Sequence, residues 1–142
     1  MATSVNLDIS QQLDITCRRG DTFLLSLNFT QADGVTPLDV ASEKYKFNMD
    51  VRESDTDDGA TSVASTDSSA IATGSANITV SQTNGVNGQI TLTISAAAMA
   101  TIVGGSYVYD LQAEQQSNGA TTKIETWLFG SFIVNEDVTI NA

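Results

Sequence analysis

The chain has 142 residues, 41% of them hydrophobic, which is enough for one domain with a packed core. Seventeen acidic residues against six basic ones and no histidine give a net charge of −11, so the surface repels nucleic-acid phosphates and anionic membranes. We therefore expect a single domain over residues 1–142 that binds neither nucleic acid nor membrane.

The chain carries a single cysteine, Cys17, which excludes an internal disulfide. It shares a predicted strand face with Leu13 and Ile15, which indicates a small buried side chain. The sequence has no apolar run approaching the roughly 20 residues of a membrane span. Its first residues lack the basic and apolar regions of a signal peptide. We expect a protein made in a cytoplasm that acts there or in a particle assembled there.

The first alternating run lies near the amino terminus. Residues 5–9 place Val5, Leu7 and Ile9 on one face of an extended segment. This run fits a strand of the domain, and residues 1–12 equally fit an N-terminal arm that pairs only with a neighbouring subunit, so we take these three side chains as candidate interface residues.

Alternation of apolar and polar residues predicts the strands of a half-buried sheet. The predicted strands cover residues 13–17, 22–30, 44–52, 77–81, 89–95, 107–114 and 123–134. Ser117-Asn118-Gly119 predicts a hairpin turn between the last two. Ser95 is a candidate N-cap for one or two helical turns that deliver the chain into this hairpin. Residues 136–142 are predicted as a C-terminal tail or a last short strand.

Residues 53–76 are small and polar, and they bury too little apolar surface to offset the entropy of ordering them. We predict a long mobile loop with at most one weak ribbon inside it, and a functional loop and a disordered one both fit. The loop begins with an acidic cluster: Glu53, Asp55, Asp57 and Asp58, followed by Gly59. Its spacing is not that of a calcium-binding EF-hand, so we expect a solvated loop and no metal or cofactor.

The strand over residues 123–134 carries the candidate docking residues. If Ile124, Leu128, Phe132 and Val134 face the core, the alternate side chains face outward. These alternate residues are Trp127, Phe129 and Ile133, which Val108 joins from the preceding strand. An exposed apolar patch on a sandwich commonly marks a protein contact. A bulge at Gly130 that changes the register, or a covering loop, is the alternative.

Seven to nine strands and one short helix before the sixth main strand are typical of an immunoglobulin-like antiparallel β-sandwich. Tyr107 fits the tyrosine corner of such domains, with its hydroxyl bonded back to the preceding connection. Tyr109 stands where antibody domains have their second cysteine. No carboxylate pair is set in an apolar frame that would raise its pKa, so we expect no enzyme and no catalytic residue.

Several short runs together resemble a known type of protein. The runs are Arg19-Gly20-Asp21-Thr22-Phe23, Met49-Asp50-Val51-Arg52, Ile90-Thr91-Leu92-Thr93-Ile94-Ser95, Gly105-Ser106-Tyr107-Val108-Tyr109-Asp110-Leu111, Gly130-Ser131-Phe132-Ile133-Val134 and Asp137-Val138-Thr139. The chain resembles small β-sandwich structural proteins of tailed bacteriophages, including the N-terminal domain of upper baseplate proteins. The resemblance implies a virion component that joins larger parts and has no active site.

We therefore expect a non-enzymatic accessory protein of a phage capsid, neck or tail, assembled in the host cytoplasm and oligomeric in the particle. Its expected partners are other virion proteins. The rival expectation is a carbohydrate- or receptor-binding module of a phage tail or fibre, with residues 53–76 and exposed aromatic side chains as its site.

Overall fold

The computed structural model describes residues 10–31, 33–53, 62–66 and 77–136. Within these ranges strands are the main secondary structure, and they are accompanied by one α-helical turn, α1 (Ala96–Met99), and one 3-10 turn over Gly85–Asn87. The strands are β1 (Gln11–Gln12), β2 (Ile15–Arg18), β3 (Phe23–Asn28), β4 (Tyr45–Arg52), β5 (Ala64–Ser65), β6 (Thr79–Ser81), β7 (Gln89–Ile94), β8 (Gly105–Ser117) and β9 (Ala120–Asn135).

The strands form two sheets. Sheet A has the order β1-β9-β8-β4-β5, with β2 following β1 along the same edge of β9, and sheet B has the order β3-β7-β6. β1 and β2 pair with β9 in parallel, whereas the remaining strand pairs are antiparallel. The expectation of an all-β sandwich is confirmed at this level.

The two sheets pack face to face around one core. Phe23 of sheet B meets Phe132 of sheet A with ring centroids 5.4 Å apart. The largest fully buried apolar side chains come from both sheets, from α1 and from the connection before β4: Phe132, Met49, Leu111, Val51, Ile90, Leu92, Ile94, Met99 and Val40. The predicted alternation is confirmed in β4, β7 and β8, where every second side chain is buried.

The connections also follow their sequence signals. Asn118 and Gly119 both have positive φ, at 53° and 80°, as a two-residue hairpin turn requires. The Ser95 hydroxyl accepts a hydrogen bond from the Ala98 amide at 3.2 Å, which confirms the predicted N-cap of α1. Within the described residues no helix is long and apolar enough to cross a membrane.

The loop predicted over residues 53–76 contains an ordered piece. Residues 62–66 are described, and β5 inside them pairs with β4 through Asp50 opposite Ser65 and Val51 opposite Ala64. Ala64 and Ser65 are fully buried, and their pairing with β4 fits the one weak ribbon that the prediction allowed inside this loop. The small side chains of Ala64 and Ser65 let the backbone of β5 approach its neighbours closely. The apolar content of a segment does not predict this kind of burial. The remaining loop residues, 54–61 and 67–76, lie outside the described residues, as do 1–9 and 137–142.

Candidate docking face

The outer face of sheet A is built from alternate residues of β4, β8, β9 and β1. Strand register arranges them in rows across the sheet. One row runs Asp50, Asp110, Phe129 and Gln12. The next row runs Arg52, Val108 and Ser131, so that Val108 lies diagonally beside Phe129.

Trp127 does not belong to this face, and the expectation that it points outward is wrong. It is half-buried and packs against the core through three aromatic rings, with centroids at 5.0 Å from Phe29, 5.2 Å from Tyr45 and 5.6 Å from the buried Phe47. The cause is a β-bulge in β9. Leu111 pairs with Leu128 and Gln112 with Thr126, so Trp127 is the extra residue of the bulge.

The same bulge reverses the phase of β9 on its amino-terminal side. Ile124, predicted to face the core, lies opposite Glu114 and is 56% exposed. A slip of one residue moves every following side chain to the other face, which accounts for this error. The bulge does not lie at Gly130, the position considered as an alternative, because Gly130 stays in register with Tyr109. Leu128, Phe132 and Val134 face the core as predicted.

Three of the predicted docking residues do share the outer face. Phe129 is 40% exposed, and Val108 and Ile133 are half-buried. Ile133 lies between Ser106 of β8 and Thr16 of β2, one row beyond Val108. These apolar side chains therefore occupy three successive rows, in β9, β8 and β9 again, with Asp110, Ser131 and Ser106 as their cross-strand neighbours. The other three candidates, Val5, Leu7 and Ile9, lie outside the described residues, and whether any of the seven forms an interface stays a prediction.

A shallow depression of about 720 Å³ surrounds Phe129 and Val108 on this face. Its remaining lining is polar: Gln12, Asp14, Asn48, Asp50, Arg52, Tyr109, Asp110, Gln112, Gly130 and Ser131. Burial raises the pKa of the half-buried Asp110 carboxyl, the nearby Asp50 charge raises it further, and Arg52 opposes both effects. The Arg52 guanidinium lies 3.8 Å from Asp50. Among the described residues that line the depression, Arg52 is the only one with a cationic side chain.

The rim of the depression is fixed by a crossing between the β1–β2 connection and β9. The Leu13 amide donates to the Phe129 carbonyl at 2.9 Å, and the Ser131 amide donates to the Asp14 carboxylate at 3.0 Å. The latter bond, with contributions from Gln12, lowers the pKa of Asp14. A Cβ on Gly130 would lie 2.4 Å from the Leu13 carbonyl oxygen, so only glycine permits this approach.

The two tyrosines of β8 each anchor a connection from within the sandwich. The Tyr107 hydroxyl donates to the Val103 carbonyl at 2.5 Å, which confirms the predicted bond back to the connection. The Tyr109 hydroxyl donates to the Leu13 carbonyl at 2.5 Å. This bond fixes the β1–β2 connection against β9 from the core side of the sheet. Burial raises the pKa of Tyr109 to about 12, and the nearby Asp14 charge adds to the shift.

Other sequence features have structural roles. Arg19-Gly20-Asp21 forms the turn into β3, where the Asp21 amide donates to the Arg18 carbonyl. The Arg19 guanidinium bonds Glu136 at 2.9 Å and the Ala100 carbonyl at 2.9 Å, which ties this turn to the ends of β9 and α1. Cys17 is half-buried against the core, and burial raises the pKa of its thiol to about 11. Of the acidic cluster only Glu53 is described, and the described residues hold no group of three metal-binding side chains.

Sequence reasoning missed the polar part of this face. The signal lies in the alternation, because Asn48, Asp50 and Arg52 alternate with the buried apolar residues of β4. Their position beside Phe129 depends on the strand order β9-β8-β4, which alternation does not encode.

Comparison with protein-family models gives no match, and comparison with curated proteins gives none either.

Proposed function

We propose that this chain is a non-enzymatic structural component of a tailed-phage virion, an accessory protein of the capsid, neck or tail. It acts by docking the outer face of sheet A on neighbouring virion subunits. The observation that carries the proposal is the exposure of two large apolar side chains, Ile124 and Phe129, on that one face. Side chains of this kind contribute most at protein contacts when polar residues surround them and exclude water.

The strand arrangement supports an immunoglobulin-like form of the sandwich. β3, β7 and β6 lie in one sheet, and β4, β8 and β9 lie in the other with the amino-terminal strands parallel to β9. The short helix α1 comes shortly before β8, and Tyr107 at the start of β8 bonds back to Val103. Immunoglobulin-like domains have a tyrosine corner at this position. This is the fold that the resemblance to phage β-sandwich proteins implies.

The chemistry of the face supports docking on protein in preference to nucleic acid. Asp14, Asp50 and Asp110 accompany a single cation, Arg52, around the depression. Such a surface repels phosphate and suits a neutral or basic protein surface. Association with a basic partner should weaken as salt rises, because the charges on this face are solvent-accessible.

The test is the composition of purified particles. Virions of the phage that carries this sequence are purified on a density gradient and analysed by mass spectrometry, and an antibody against the chain locates it by immunogold microscopy. We expect the chain at a fixed copy number per particle and label at one part of the virion. Its absence from gradient-purified particles, with the chain abundant in the infected-cell lysate, would overturn the proposal.

A second candidate function is carbohydrate binding, and the depression itself favours it. Planar amide and carboxylate groups, including Asn48, Gln112 and Asp110, lie beside the exposed Phe129 ring. Ring stacking together with planar hydrogen-bonding groups is a common way to hold a small polar ligand. Glycan-array binding that is lost in Phe129→Ala and Gln112→Ala would favour this function over the structural role.

A further inference from the structure

The edges of the two sheets differ in how they are protected against pairing with other strands. Natural sheets protect an edge by short length, charge, proline, a break or a cover. In sheet B, β6 has only three residues. In sheet A, β5 has two and meets Asn77 through a bridge at Ser65, and the β1–β2 edge is broken where Asp14 bonds Ser131. These three edges are poor templates.

β3 is the exception. It runs for six residues, Phe23–Asn28, with the sequence FLLSLN, which contains no charge and no proline. Its pairing with β7 is continuous from Phe23 opposite Ile94 to Asn28 opposite Gln89, without a bulge. Among the described residues no strand pairs with its other side. This edge is therefore long, regular and uncharged.

The backbone groups on this edge follow from strand alternation. The Phe29 amide donates to the Gly88 carbonyl, so the odd-numbered residues direct their backbone groups toward β7. The amides and carbonyls of Leu24, Ser26 and Asn28 then point to the open edge. The side chains of these residues are exposed on the outer face, so they leave the approach in the plane of the sheet open.

We propose that two copies of this chain associate through β3, edge to edge and antiparallel, so that their sheets B become one continuous sheet across a two-fold axis. Ser26 then lies opposite the partner's Ser26, and Leu24 lies opposite the partner's Asn28. This register pairs outward-pointing backbone groups with each other and forms about six hydrogen bonds. It also keeps the apolar face of each β3 on its own core, as the pleat requires.

The charge distribution selects a second copy as the occupant of this edge. Two chains of net charge −11 repel each other, and β3, β6 and β7 contain no charged residue at all. Sheet B is thus where two copies approach at the lowest electrostatic cost, whereas a basic partner finds no carboxylate on β3 to bind. The proposal concerns the sheet opposite the docking face and does not depend on the virion role.

Sedimentation equilibrium of the full chain over a concentration series tests the association. The mass should rise toward twice the 15.0 kDa of one chain. The dimer should tighten between roughly 0.05 M and 0.5 M salt, because screening shortens the range of repulsion between the two acidic copies. The proposal would be overturned if the chain stayed a monomer at every concentration. It would also be overturned if added salt weakened the dimer.

Matched variants test the register. Ser26→Lys places two cations at the two-fold axis and should weaken the dimer about tenfold. Ser81→Lys makes the same change in the same row of sheet B, at the opposite edge, and should leave the dimer unchanged. Equal weakening by both variants would show that β3 is not the contact.

Disulfide trapping gives an independent readout in a Cys17→Ser background. Paired residues at the axis have Cα atoms about 5.5 Å apart, within the range that a disulfide bridges. Ser26→Cys should therefore give a covalent dimer on oxidation, and Ser81→Cys should give none. Failure of Ser26→Cys to cross-link at concentrations where wild-type is dimeric would exclude this register.

Discussion

Replacing Gly130 with alanine tests the crossing that shapes the rim of the docking face. The new Cβ would lie 2.4 Å from the Leu13 carbonyl oxygen and 2.8 Å from the Asp14 carboxylate, so the β1–β2 connection must move away by about 1 Å. That movement breaks or lengthens three hydrogen bonds: Leu13 to Phe129, Ser131 to Asp14, and Tyr109 to Leu13. The bonds from Leu13 to Phe129 and from Tyr109 to Leu13 contribute about 1 kcal/mol each, and the positive φ of Gly130 adds about 1 kcal/mol.

Gly119→Ala is the matched control. Gly119 also has a positive φ, but no atom lies within 4 Å of its added Cβ, so only the conformational cost of about 1 kcal/mol remains. Urea unfolding followed by the fluorescence of the single tryptophan measures both variants. Gly130→Ala should lose about 2 kcal/mol more than Gly119→Ala. Equal losses would refute the close crossing of the β1–β2 connection over β9.

Four further substitutions compare interior side chains with one on the docking face. Trp127→Ala should lower the free energy of unfolding by about 2–3 kcal/mol and Phe129→Ala by less than about 1 kcal/mol, because only Trp127 packs inside; equal costs in urea would contradict the bulge. Tyr107→Phe should cost about 1 kcal/mol in thermal melts through loss of its bond to Val103, and no change would mean that the bond adds no stability. The folded chain keeps the Tyr109 proton up to a pKa of about 12 against the ordinary 10.0, so wild-type stability should fall as pH rises through that window. Tyr109→Phe should reduce this fall, and an identical pH dependence in urea titrations would contradict the shift.

Much of the fold follows from local sequence signals. The alternation of β4, β7 and β8, the Asn118-Gly119 turn and the Ser95 cap all act over a few residues, so a short window of sequence contains the whole physical cause. The bond from Tyr107 to Val103 also spans only four residues.

The errors arise where distant parts of the chain decide the conformation. Three consecutive apolar residues, Trp127-Leu128-Phe129, interrupt the alternation of β9, and this interruption is the only sequence sign of the bulge. Burial of Ala64 and Ser65 depends on β4 being available as a pairing partner. Parallel pairing of β1 with β9 joins residues more than 100 positions apart. Periodicity assigns a face to each residue but does not assign the neighbouring strand.

The most direct test of the docking account is the binding of the purified chain to particles assembled without it. Wild-type chain is compared with Phe129→Ala, on the docking face, and with Val86→Ala, which removes a side chain that is 63% exposed elsewhere on the surface. The account predicts that wild-type and Val86→Ala bind alike and that Phe129→Ala binds about tenfold more weakly, as for a contact residue worth more than 1 kcal/mol. Equal binding by all three proteins, or no binding of wild-type, would contradict it.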